Sequence, residues 1–227
     1  MIRLSPSSLS TLKDCPRCFW IEQRKKVKRP RGIFPSLPGG MDRALKTYID
    51  GNHLELPPEC AGIGNARPFQ DRTLVDQLRD WRRAPRVMVG EIHVSGALDD
   101  LLEFIDGKVA PWDFKTRGAA PVDGDTEKYY GLQMDIYDLL LSEGLKLDVQ
   151  GKAYLTYFWP GSVANGGAVT FNVETVVIDT DKDRAKAFIE KAANVMAMPD
   201  PPGPGFGCEY CKFVMDRREI DSMRQLL

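Results

Sequence analysis

Two Cys-x-x-Cys pairs stand at opposite ends of the chain, Cys15/Cys18 near the start and Cys208/Cys211 near the end. They can act together only if the fold returns both ends to one place. Four thiolates gathered in this way suit either tetrahedral Zn²⁺ or a [4Fe–4S] cluster, and spacing alone does not separate the two. Cysteines in such pairs argue for metal before disulfides, while the fifth, Cys60, reads as an ordinary small apolar residue. The 227 residues are 43% hydrophobic and 28% charged, a globular composition with enough apolar material for a core, so disorder is not expected. No apolar run approaches the roughly 18 residues of a membrane span. Residues 1–6 lack the apolar stretch of a signal peptide, and a cytoplasmic address with no membrane partner is expected.

Between the cysteine pairs the pattern predicts one α/β domain. Ser5-Pro6 opens a short helix that carries Leu9 and Leu12 towards Cys15 and is broken by Pro16. After the Pro/Gly-rich segment from Pro30 to Gly40, Met41, Ala44, Leu45, Tyr48 and Ile49 recur at helical spacing, which puts Asp42 in a first turn. Residues 51–69 read as loop, and a helix through Leu74, Leu78 and Trp81 ends before Pro85. Three strands are expected over Arg86–His93, Val94–Phe104 and Lys108–Lys115, with Asp106-Gly107 as a hairpin turn. A helix from about Thr126 to Ser142, strands over Lys152–Trp159 and Ala168–Ile178, and a helix over Asp181–Met198 follow. A proline-rich linker then delivers the second cysteine pair. The segments 1–35 and 199–227 are expected to form a cysteine-metal subdomain.

Asp113-Phe114-Lys115 lies at the end of a predicted strand, where alternate side chains share a face. A carboxylate beside an ammonium suits phosphodiester hydrolysis, because a carboxylate can hold a hard divalent ion that activates water while the lysine stabilises developing charge. A second carboxylate on the neighbouring strand would complete the set. A strict two-residue turn sets Asp100 opposite Asp113, whereas a one-residue bulge at Pro111, which has no N–H to donate, brings Asp99 there instead. The pattern leaves both open. Gln133 and Tyr137 share a face of the following helix.

Gly96-Ala97-Leu98-Asp99, Trp112-Asp113-Phe114-Lys115-Thr116 and Gln133-x-x-x-Tyr137, taken in order, resemble the motifs of the RecB-like PD-(D/E)xK nucleases. Leu4-Ser5-Pro6-Ser7-Ser8-Leu9 leading to Cys15-Pro16-Arg17 is similar to the start of the iron–sulfur members, among them the AddB nuclease domain and the CRISPR-associated Cas exonuclease. The resemblance implies a restriction-endonuclease-like core with a central mixed sheet flanked by helices. It makes Asp99 and Asp113 ligands of Mg²⁺ or Mn²⁺ together with the backbone carbonyl of Phe114, makes Lys115 the catalytic lysine, and gives Gln133 and Tyr137 positioning roles. The family's Gly-x-x-x-His ligand is absent: Ala44 stands there after Gly40, with Asp42 the nearest candidate replacement. The iron–sulfur members take one early and three late cysteines; this chain has two and two, and the resemblance favours a [4Fe–4S] cluster with Zn²⁺ as the alternative.

Net charge is −1, so any affinity for phosphate must be local. Six of the eight residues from Arg24 to Arg31 are basic, including Arg24, Lys25 and Lys28. A second group, Arg79, Arg82, Arg83 and Arg86, surrounds Trp81. Both are compatible with backbone contacts to DNA, single-stranded or with free ends, and the resemblance extends the possible partners to repair or CRISPR-adaptation proteins. The rival reading is a nucleic-acid or partner-binding module that keeps the nuclease fold without its catalysis.

Overall fold

The computed structural model describes residues 2–30, 32 and 36–224; Arg31, at the end of the first basic stretch, lies outside them. The architecture is α/β, with helices flanking a five-stranded mixed sheet. In chain order the strands are β1 (Ile2–Leu4), β2 (Ala66–Pro68), β3 (Arg86–Val89), β4 (Ile92–Ser95), β5 (Asp100–Phe104), β6 (Val109–Thr116), β7 (Lys152–Val163) and β8 (Val169–Asp179). The helices are α1 (Pro6–Asp14), α2 (Pro16–Trp20), α3 (Ser36–Gly51), α4 (Arg72–Arg79), α5 (Asp125–Leu139), α6 (Lys182–Ala197) and α7 (Glu209–Arg224).

The large sheet runs β2-β5-β6-β7-β8. Within this sheet, among the described residues, only β6 and β7 pair in parallel, joined through α5, since parallel neighbours require a crossover connection. Strand β6 is buried on both faces. Trp112 and Phe114 point into a cluster with Leu45 and Ile49 of α3. Leu155 and Tyr157 of β7 face the other way, into a core shared with Leu9, Leu12, Met134, Tyr137 and Ile189. Thr156 lies on the α3 side and satisfies its hydroxyl with Trp112 Nε1 at 2.8 Å and Thr175 at 2.8 Å, so a buried polar group there costs little. Among the described residues no helix is long and apolar enough to cross a membrane.

Several elements depart from expectation. The strand expected over Arg86–His93 is the hairpin of β3 and β4, turning at Gly90, where φ is +57°; with β1 it makes a separate small sheet, ordered β1-β4-β3. The strand expected over Val94–Phe104 breaks at residues 96–99, so β4 and β5 belong to different sheets. Helix α3 begins at Ser36, four residues before Gly40. Pro38 is tolerated there because the first-turn N–H groups have no helical partner. Strands β1 and β2 and the final helix α7 were not visible in the pattern.

The hairpin between β5 and β6 decides the carboxylate register. Its loop has three residues, Ile105 to Gly107, closed by Phe104 N–H donating to the Lys108 carbonyl at 2.9 Å, with Gly107 at φ +80°. Asp100 therefore pairs with Trp112 and Leu101 with Pro111, one residue away from the strict two-residue alternative. The pairing continues without a break past Pro111, so the extra residue is in the turn and not at the proline.

Candidate active site and cysteine centre

Residues 96–99 leave β4 and enter β5 as a short loop that is pinned at almost every position. Gly96 packs so closely that an added Cβ would lie 3.0 Å from the Pro6 ring and 3.3 Å from Tyr137. The Tyr137 hydroxyl donates to the Ala97 carbonyl at 2.6 Å and accepts from Gln133 Nε2 at 2.6 Å. Leu98 N–H donates to the Leu78 carbonyl at 3.0 Å, and Arg79 Nε to the Asp99 carbonyl at 2.7 Å. Asp99 itself accepts from the Phe114 N–H at 3.2 Å through Oδ2. Together these contacts fix the Asp99 carboxylate against the end of β6.

Asp113 lies in the same region and is almost completely buried. Burial raises its carboxyl, Lys115 draws it down and Asp99 pushes it up, which together leave it at about 6. Lys115 pairs with Asp113 through Oδ2, so the buried carboxylate has an ammonium group directly against it. The Lys115 ammonium also sits 4.5 Å from the centre of the Tyr130 ring, whose face favours the charged form. Burial works against the charge on Lys115, but Asp113 and Asp99 hold it above the ordinary lysine range. Phe114 turns to the opposite face, as alternation requires. A cleft of about 310 Å³ opens beside Lys115, between Thr116 and Phe114 of β6 and Asp42, Leu45 and Pro38 of α3.

Lys46 of α3 is the site residue that the sequence reading missed. Its ammonium is 2.8 Å from Asp99 Oδ1 and 2.8 Å from Asp42 Oδ1. Burial works against the charge, but the two carboxylates keep it above the usual lysine value. Asp42 therefore reaches Asp99 through Lys46, and the three aspartates at 42, 99 and 113 do not converge as a set of ligand atoms. The signal available was the four-residue spacing of Asp42 and Lys46 on one helix. Tyr130 could have been found likewise, three and seven residues before Gln133 and Tyr137 on the same helical face.

Asp100 points away from this site. Its fully buried carboxylate accepts from Arg72 at 2.9 and 2.7 Å, from Arg79 at 2.9 Å and from the Leu101 N–H at 2.8 Å, and Asp50 pairs with both arginines. Arg79 is thus committed to an internal network and is not a surface contact. Arg82 and Arg83 are exposed; Arg82 stacks 4.6 Å from the centre of the exposed Trp81 ring, while Arg83 pairs with Asp80 at 3.0 Å. Arg24, Lys25 and Lys28 are exposed as well. Arg29 is not free: it pairs with Asp14 at 3.4 Å and lies 3.9 Å from Cys208 Sγ.

The four expected cysteines do meet. All of their sulfurs lie within 4.8 Å of one another, and they are the only set of three or more potential His, Cys, Asp or Glu ligands so gathered among the described residues. No disulfide links them. Cys15 Sγ accepts from the Cys18 N–H at 3.4 Å and the Gly205 N–H at 3.1 Å; although burial opposes it, these amides help bring the Cys15 thiol down to about 6. Burial pushes Cys18 and Cys211 up. A cation bound there would replace the protons on the remaining thiols, and the four-cysteine set can coordinate a metal ion.

A mixed sheet whose central strand ends in Asp-x-Lys, with a second aspartate fixed beside it and a four-cysteine centre joining the chain ends, defines a nuclease-type fold. Residues 61–215, more than half of the chain, match the PD-(D/E)XK nuclease superfamily, and the chain belongs to that superfamily. Among solved structures it is similar to the crystal structure of SSO0001, at 17% identity and a TM-score of 0.51, over 94% of this chain and 84% of that one. That likeness is one of fold. None of the curated proteins matches the chain.

Proposed function

We propose that the chain is a divalent-metal-dependent DNA nuclease of the RecB-like branch, akin to the AddB and CRISPR-associated Cas nucleases. Its substrate would be single-stranded DNA or DNA ends, in repair or CRISPR-adaptation-type processing in the cytoplasm. The observation that carries this reading is Asp113: a buried carboxylate paired with Lys115 and next to an Asp99 locked in place by its own loop. Two carboxylates with the Phe114 carbonyl make a hard oxygen donor set that suits Mg²⁺ or Mn²⁺, which characteristically take one or two carboxylates and fill the remaining positions with water and phosphate. When bound, such an ion supplies a nucleophilic water at neutral pH and offsets negative charge on phosphate.

The chain's own residues divide the remaining work. Asp99 and Asp113 would hold the ion, and Asp42, the nearest candidate to replace the family's histidine, is separated from Asp99 by Lys46. Lys115, kept charged by its carboxylate neighbours and the Tyr130 ring, would stabilise charge as water adds to phosphorus and the ester oxygen leaves. Tyr137 and Gln133 act through the Ala97 carbonyl and keep Asp99 in register, which makes them positioning residues. Arg24, Lys25, Lys28, Arg82 and Arg83 are the candidate phosphate contacts, and binding through them should weaken as salt rises. The whole chain would act as one nuclease unit, with 1–35 and 199–227 as its cysteine-metal subdomain.

One observation favours the rival reading of a non-cutting binding module: Lys46 already neutralises Asp99. Titrating Mg²⁺ or Mn²⁺ into the full chain with end-labelled single-stranded and duplex DNA distinguishes the two. The nuclease reading predicts metal-dependent fragments, first from single strands or ends. Binding without fragments at any metal concentration would leave the module.

A further inference from the structure

We infer that the four-cysteine centre holds a single tetrahedral ion, Zn²⁺ by its chemistry, and not the [4Fe–4S] cluster that the resemblance favoured. The first ground is size. With metal–sulfur bonds of about 2.3 Å, four thiolates around one tetrahedral ion lie roughly 3.8 Å apart. Here Cys15 and Cys211 are separated by 3.7 Å, Cys18 and Cys208 by 3.7 Å, and Cys18 and Cys211 by 3.6 Å. In a cubane each thiolate binds its own iron at a separate corner, which spreads the sulfurs to roughly 6 Å. With every sulfur within 4.8 Å of the others, four irons and four sulfides have no room.

The second ground is that the segment leading to the late pair is packed directly against the early one. The 199–205 linker is pressed onto the junction of α1 and α2: a Cβ on Gly205 would lie 2.2 Å from the Asp14 carbonyl oxygen and 2.9 Å from Cys15 Cα. Arg17 Nε donates to the Pro202 carbonyl at 2.8 Å, and Trp20 Nε1 to the Met198 carbonyl at 3.0 Å. The third ground is arrangement. Each pair straddles the start of a helix, Cys15 at the head of α2 and Cys208 immediately before α7. The two-plus-two set closes on itself without an open ligand position, as structural zinc sites do. Zn²⁺ also outcompetes Fe²⁺ for a site of this kind.

The inference is independent of whether the carboxylate site cuts DNA, and its test reads no cleavage. The full chain is purified anaerobically and analysed for zinc, iron and acid-labile sulfide. The metal-free chain is then offered Co²⁺, and separately Fe²⁺ with sulfide. The expected result is about one zinc per chain with no sulfide, a one-to-one cobalt complex with the intense visible bands of tetrahedral thiolate ligation, and no cluster on reconstitution. About four irons with matching sulfide, either as purified or after reconstitution, would overturn the inference. One iron without sulfide would overturn the choice of zinc.

Discussion

Replacing Asp100 with asparagine keeps the shape of the side chain and removes its charge. The carboxylate is fully buried and accepts three hydrogen bonds from two guanidinium groups as well as one from the Leu101 N–H. An asparagine can keep one oxygen as acceptor, but it turns an NH₂ group towards guanidinium donors, so at least one arginine loses its partner and meets a like donor. Removing one member of a buried ion pair costs about 3–5 kcal/mol. Asp50 still faces both arginines and is itself substantially exposed, which places the expected loss near the lower end, about 3 kcal/mol. For a chain of this length that corresponds to a fall in Tm of about 6–12 °C. Thermal and urea unfolding of Asp100→Asn beside Asp99→Asn provide the assay. Asp99 is partly solvated and bound to Lys46, so its variant should lose much less stability. A drop of under about 2 °C for Asp100→Asn would refute the reasoning, as would a larger drop for Asp99→Asn.

Lys46 competes with any divalent ion for Asp99, so Lys46→Met should tighten Mn²⁺ binding, read by electron paramagnetic resonance, by about tenfold, or ~1.4 kcal/mol; unchanged or weaker binding would show that Lys46 is not a competitor. Cys208→Ser should lower the unfolding temperature while leaving cleavage per folded molecule near the parent level well below that temperature, because the centre ties chain ends and offers no open position for chemistry. A folded variant that melts like the parent but no longer cleaves would contradict this. Asp113 gives a pH signature in EDTA. Its folded carboxyl, raised to about 6, binds a proton more tightly than the unfolded one, so its contribution to stability is complete below about pH 4 and is lost as pH rises through about 6. Melting curves of the parent relative to Asp113→Asn should diverge across that window, and parallel curves would exclude the effect.

The order of strands and helices around the central sheet was legible in the sequence because β6, β7 and α5 carry strong periodic patterns and sit where packing agrees with propensity. The meeting of the cysteine pairs was legible for a simpler reason: isolated Cys-x-x-Cys pairs have little else to do than find each other. What pattern could not decide was the Asp99/Asp100 register, because it rests on whether the hairpin loop has two residues or three, a difference set by Gly107 and by the Asp106 side chain accepting from the Lys108 N–H at 3.1 Å. Arg79 illustrates a second limit. In sequence it belongs to a basic surface group, and only tertiary placement turns it inward towards Asp50 and Asp100. Helix α7 escaped notice because it has little amphipathic signal, with Phe213, Val214, Met215 and Ile220 all exposed.

Single-turnover cleavage of end-labelled single-stranded DNA by the parent chain and by Lys115→Ala, in Mg²⁺ or Mn²⁺ and with folding and DNA binding checked in parallel, tests the assignment at its centre. Loss of one group that stabilises developing charge should slow the chemical step by about 10²–10³, while DNA binding stays close to the parent's and the variant remains folded at the assay temperature, with a lowered melting temperature because the buried Asp113 loses its partner. A folded Lys115→Ala variant that binds DNA and cleaves it at the parent rate would remove the lysine, and with it the proposed active site.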